Sequence, residues 1–214
     1  MTRKWTRRDF LKFAGAAVIV TASCGGLTQL AALAPDVDLP EKTYRGKMNQ
    51  KILVVYATKA GSTAEIADGI GQKLAESGVS VDVSPVEAAK DLHDYRAVVL
   101  GSAVRMGRWL PGMMTWIESN RAALQSMPVA VFSVHLLNLG EDETSRAARE
   151  AYTAPLHQLI SPCAETFFAG KMDLSKLSFF DRTLSKMMKA QDSDLRDWNA
   201  VHTWAGGLPA VLYV

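Results

Sequence analysis

Residues 51–70, KILVVYATKAGSTAEIADGI, decide the fold of this 214-residue chain. The opening seven, KILVVYA, form a short apolar run rich in β-branched residues, the composition of a strand buried on both faces. The period then changes. Ala64, Ile66, Ala67, Ile70 and Leu74 recur at helical spacing, and Gly78 supplies the stop. Between strand and helix lies the turn Thr58, Lys59, Ala60, Gly61, Ser62, Thr63. A helix N-terminus offers unpaired N–H groups and a partial positive charge. Thr58, Ser62 and Thr63 add hydroxyls, and Gly61 permits a tight turn with close backbone approach. Together these predict a phosphate nest. It is not a Walker A loop, because Ser-Thr follows Gly61 where Lys-Ser/Thr is needed. A plainer reading is compatible: Ser62 caps the helix, with Glu65 three residues on completing a capping box.

The alternation continues outward from this unit. VSVDVSPV (79–86) predicts a second, edge strand, and YRAVVLGSAV (95–104) a fully apolar third. LPGMMTWIESNRAAL (110–124) predicts a helix with Pro111 in its first turn, and MPVAVFSVHL (127–136) a fourth strand. DETSRAAREAYTAPLHQLI (142–160) is a helical stretch interrupted near Pro155. CAETFFAGKMD (163–173) predicts a fifth strand and DLRDWNAVHTWAGGL (194–208) a last helix, broken early by Gly206, Gly207 and Pro209. Strands alternating with helices make an α/β fold, a parallel sheet with helices on both faces.

Bulk properties narrow the function. The net charge of +2 combines +4 in residues 1–12 with −2 over the remainder. The basic balance therefore comes from the leader and is no argument for nucleic acid. Two cysteines, Cys24 and Cys163, make neither a disulfide framework nor a Cys/His cluster, so no metal site is expected. Cys163 reads as a buried, inert thiol.

The segment YATKAGSTAEIADGI resembles the FMN phosphate loop of flavodoxins, T-x-T-G-x-T, with Ala60 in place of the middle Thr. More broadly, 51–204 resembles the menaquinone-dependent protoporphyrinogen oxidase family, a flavodoxin-like group. YATKAGST, VVLGSAVRMGRW, MPVAVFSVHL, AGKMD and FFDRTLSKMMKAQDSD…HTW carry the likeness. The resemblance implies a doubly wound five-stranded parallel sheet in the order 2-1-3-4-5, with FMN at the switch point. Three loops then converge on the cofactor. Residues 58–63 hold its phosphate. Ser102, Ala103, Val104, Arg105, Met106, Gly107 and Trp109 lie along the ring system. Ser133, Val134, His135 and Asn138 cover its other side. Many flavodoxins stack an aromatic where this chain has Met106, so Trp109 is the alternative stacking partner. Arg105 is the candidate to pair substrate carboxylates, while Arg108 reads as a solvated charge. His135 is a candidate base or flavin contact, or else a support for its loop.

Two segments set this chain apart from a plain flavodoxin. In LSFFDRTLSKMMKAQ (177–191), Leu177, Phe180, Leu184, Met187 and Met188 form one helical stripe, with Arg182, Lys186 and Lys189 elsewhere on the surface. This basic amphipathic helix either packs on the body or faces a membrane or quinone. The leader opens with TRRDFLKFAG (6–15), which resembles a twin-arginine export signal, followed by a small apolar run. Three fates are open for residues 1–34: lipidation at Cys24, cleavage near 32–34, or retention as an anchor. Residues 35–50 read as a polar linker before the domain at 51–214. The twin-arginine route carries folded proteins, which suits a cofactor loaded before export. The expected function is an FMN-dependent oxidoreductase passing electrons from a bulky substrate to a quinone, located at the outer face of the cytoplasmic membrane or in the periplasm. The alternative is an exported flavodoxin-type electron carrier.

Overall fold

The computed structural model describes residues 40–48, 50–89, 91–176 and 192–213. The leader and the basic stripe 177–191 lie outside the described residues, as does the site of Cys24. Strand β2, Lys51–Ala57, occupies the centre of the sheet and leads directly into helix α1, Ser62–Glu76. β3 (Ser80–Pro85) and β4 (Ala97–Arg105) flank β2 in parallel. β6 (Val129–His135) and β7 (Ala164–Ala169) extend the sheet beyond β4, also in parallel. Numbering these parallel strands alone gives the order 2-1-3-4-5, as the resemblance implies. The switch point falls between β2 and β4, where successive connections leave in opposite directions.

β3 is not the edge. Strand β1, Lys42–Tyr44, pairs antiparallel with it, Lys42 opposite Val83 and Tyr44 opposite Val81. This strand comes from the stretch that reads as linker. Three polar residues in a row gave no strand signal of their own; the edge of β3 supplies the pairing partner.

Two helical layers cover the sheet. On one face, α1, α5 (Trp198–Gly207) and α6 (Pro209–Leu212) pack over Ile52, Val54, Val81 and Phe132. On the other, α2 (Pro111–Ser119), α3 (Arg121–Leu124) and α4 (Glu143–His157) lie over Leu53, Val55, Val98 and Val131. Alternate residues of one strand thus feed opposite cores, which is why β2 carries no polar residue between Ile52 and Tyr56. Gly101 leaves room for the ring of Phe132, its partner on β6, on the α1 face, since a Cβ there would sit 1.9 Å from that ring.

Four local expectations change. α4 runs unbroken through Pro155, which faces solvent near the helix end, where water can take the carbonyl that proline leaves unpaired. The fifth strand divides: after Gly170, Lys171–Met172 (β8) leaves the main sheet and pairs antiparallel with Ser193–Asp194 (β9). Pro209 does not end the packing. It opens a short helix that buries Leu208 and Leu212 in the α1 core. Cys163 is exposed, with its Sγ donating to the Val129 carbonyl, and burial of part of the residue raises its thiol pKa. Among the described residues no helix is long and apolar enough to cross a membrane, and no group of side chains could hold a metal ion.

Candidate functional site

The three loops predicted to hold a cofactor all leave the carboxyl ends of β2, β4 and β6, three neighbouring strands. In the first loop, Gly61 stands at φ 88° and is itself the N-cap of α1. It makes no side-chain cap, so the capping box is not formed. Ser62 instead accepts from the Lys171 backbone N–H at 2.9 Å, and Glu65 pairs with Arg196. Thr58 Oγ1 accepts from the Gly61 N–H at 3.1 Å, which closes the turn. The consequence is a helix start whose N–H groups have no side-chain oxygen assigned to them. Thr63 sits in this first turn, 1% exposed, and its Oγ1 has no hydrogen-bond partner among the described residues. An orphaned hydroxyl beside an uncapped helix N-terminus, with a left-handed glycine before it, fits a phosphate group. Lys59 lies exposed on the turn and Ala60 is half-buried.

The second loop is a hairpin. β4 turns at Met106 and Gly107 into β5, Arg108–Trp109, with Val104 opposite Trp109 and Arg105 opposite Arg108. Both turn residues have positive φ, 52° for Met106 and 72° for Gly107, as a two-residue hairpin requires. Glycine accepts this freely, whereas methionine is strained there. Met106 is 88% exposed and crowns the loop. Trp109 behaves in the opposite way. It is 3% exposed, and its indole N–H donates to Ser133 Oγ at 2.8 Å. Swinging onto a ring system would break that bond; in this structure Trp109 is a buried pillar of the hairpin. Ser102 is likewise fully buried: it accepts from the Leu110 N–H and donates to the Ala103 carbonyl. Ser102 and Ser133 therefore tie the hairpin to β4 and β6. Their neighbours Ala103 and Val134 pair with each other across the same two strands.

His135 ends β6 and is buried behind the third loop, the placement that a support for that loop would have. It is 4% exposed, and its ring meets Tyr152 and Phe167 edge-on. Its Nδ1 lies 2.6 Å from the Leu137 carbonyl; since a carbonyl can only accept, Nδ1 carries the proton. Burial lowers its pKa, and the nearby Arg149 charge acts in the same direction. His135 is thus a neutral brace for the third loop. Beyond it, Leu137 is 68% exposed and Asn138 adopts φ 60°.

Sequence reasoning missed what secures the base of the site. Arg196 pairs with Glu65 in the first turn of α1, grips Asp194 through Nε and Nη2, and lies over the Trp198 ring. The Arg196 hydrogen bonds hold the Asp194 carboxyl down at about 2. A hollow of about 340 Å³ lined by Lys171, Met172, Asp173, Asp192, Ser193 and Asp194 lies beside this clamp, on the β8–β9 ribbon and not among the three loops. Charged residues scattered over 131 positions carry no spacing signal, so nothing in the sequence could have joined them.

Residues 53–198 match the family model described as a flavodoxin domain. A Leishmania major protein named protoporphyrinogen IX dehydrogenase [quinone] is 31% identical over 175 residues, 75% of each chain. The Escherichia coli K12 protein of the same name is 26% identical over 167 residues, 72% of this chain and 92% of that one. Among solved structures, a flavodoxin of Pseudomonas aeruginosa matches with TM-score 0.48 at 13% identity, covering 77% of this chain and 100% of that one. On the family match and the Leishmania relative together, this chain belongs to the flavodoxin-domain family, as an oxidoreductase similar to the quinone-linked dehydrogenases.

Proposed function

We propose that the protein is an FMN-dependent oxidoreductase that passes electrons from a bulky, carboxylate-bearing substrate to a quinone. The observation that carries the cofactor is the orphaned Thr63 hydroxyl at the uncapped start of α1, at the switch point of the sheet. FMN bound there supplies two-electron redox chemistry that no side chain of this chain can supply. The residues do the rest. The 58–63 turn holds the phosphate through backbone N–H groups, with Thr63 Oγ1 as an added donor. The Met106 hairpin and the Leu137 loop flank the ring and present apolar side chains, which keep water from its faces. Arg105 and Arg108 stand opposite one another across the hairpin and are both exposed. Two guanidinium groups on one exposed hairpin present positive charge and fork-shaped donors to an anionic group. This favours a substrate with carboxylates, the reading that the curated relatives' names also support.

The proposed location is the outer side of the cytoplasmic membrane, reached through the twin-arginine signal. Purified protein tests the enzymatic reading. It should be yellow, with an extractable FMN spectrum, and the dithionite-reduced form should be reoxidised by a soluble menaquinone analogue. Colourless protein that takes up no FMN sinks the cofactor assignment. A bound flavin that a menaquinone analogue leaves reduced sinks the quinone assignment and favours a flavodoxin-type carrier.

A further inference from the structure

We infer that Arg149, on α4, is the positioning residue that sets the third loop, 136–140, against the flavin; the inference rests on the FMN reading above. The loop holds Asn138 at φ 60°, in the left-handed region. Asparagine enters that region more readily than other side chains, and its surroundings decide whether it is held there. Here they hold it. Arg149 Nη1 donates to the carbonyls of both Asn138, at 2.7 Å, and Gly140, at 2.6 Å. Asn138 Nδ2 donates to the Tyr152 hydroxyl at 2.6 Å, and His135 Nδ1 donates to the Leu137 carbonyl at 2.6 Å. Arg149 and Tyr152 lie three residues apart, on one face of α4.

The Arg149 side chain is 12% exposed, although its acidic partner, Glu141 at 3.7 Å, is 89% exposed. A guanidinium that deep, spending its donors on loop carbonyls, is placed for geometry more than for an ion pair. With the Leu137, Asn138 and Gly140 carbonyls turned inward, the Leu137 side chain is left outward at the mouth. The loop is therefore set from α4, an element that carries no residue predicted to touch the cofactor. Arginine serves this purpose and lysine does not, because both carbonyls are held by the one nitrogen Nη1 at the tip of the side chain, and the shorter lysine stem stops one bond short of it.

The test uses the full-length protein, Arg149→Lys, which keeps the charge and shortens the reach, and Tyr152→Phe, which removes the hydroxyl that receives Asn138. The readouts are FMN affinity of the apoprotein by fluorescence quenching, the visible flavin spectrum, the midpoint potential, and far-UV circular dichroism. Arg149→Lys should retain the fold, bind FMN about tenfold more weakly, the worth of one charge-assisted hydrogen bond, and shift both spectrum and potential. Tyr152→Phe should shift them the same way by less. A folded Arg149→Lys variant with wild-type affinity, spectrum and potential overturns the inference. If that variant fails to fold, wild-type behaviour of Tyr152→Phe overturns it instead. Failure of the unsubstituted protein to bind FMN defeats the flavin reading itself and is thereby distinguished.

Discussion

Thr63 is fully buried, and its hydroxyl meets no donor or acceptor of the described protein. Leaving such a group unpaired costs about 1–3 kcal/mol, so a phosphate acceptor changes its balance from loss to gain. Thr63→Val keeps the shape and removes the hydroxyl. The apoprotein should melt within a few degrees of the parent or slightly above it, by thermal scan. FMN should bind roughly ten to a hundredfold more weakly, by titration. Equal FMN binding by the two proteins would show that the hydroxyl does not face the phosphate. The same scale marks what the sequence could not convey. Trp109 and His135 read as site residues because both sit in the right loops. Whether a side chain in such a loop points out or in depends on partners far along the chain. Ser133 takes the Trp109 N–H across 24 positions, and Tyr152 and Phe167 box in the His135 ring.

At the scale of elements, β1 shows how a polar segment becomes part of a sheet. Asp82 of β3 is almost fully buried. It accepts from Thr43 Oγ1 at 2.8 Å and Tyr95 OH at 2.6 Å, and pairs with Lys51 at 2.7 Å, whose ammonium also lies over the Tyr95 ring. Burial pushes the Asp82 carboxyl up, but the hydrogen bonds from Lys51, Tyr95 and Thr43 outweigh it, and the net pKa is lowered. A carboxyl lowered on folding stabilises above its unfolded pKa, near 4, and loses that stabilisation as pH falls through the folded value. Asp82→Asn should therefore cost about 2 kcal/mol at pH 7 by urea denaturation, and the gap to the parent should narrow below about pH 4. A gap that is constant with pH would remove the charge from the account. The other elements were more legible. β2, α1, β4 and β6 lie within two residues of the ranges read from their periodicity, because each buries most of its length against one or two layers. β1 and β8 were not, since two or three residues carry no period.

Across the whole molecule, Pro40 lies at one end of the sheet. β1 runs antiparallel to β3, which brings Pro40 to the carboxyl end of the parallel strands, where Tyr56 OH donates to its carbonyl. That is the end from which the three cofactor loops leave. On the proposed export route, replacing Arg7 and Arg8 together by Lys should leave the protein, FMN included, in the cytoplasmic fraction. The parent should appear with the membrane or periplasm in the same fractionation. An unchanged distribution would rule out the twin-arginine assignment. The sequence by itself determined the strand–helix alternation, the parallel sheet and the tight glycine turn after the first long strand, because these are written in contiguous residues with a local period or local turn chemistry. Only the tertiary structure decided that 42–44 closes the sheet edge, that Trp109 and His135 face inward, that Arg149 binds the 138 and 140 carbonyls and that Arg196 pairs with Glu65. Those outcomes rest on contacts between residues up to 131 positions apart, and a side chain's direction there is set by which partners the finished fold brings within hydrogen-bond reach.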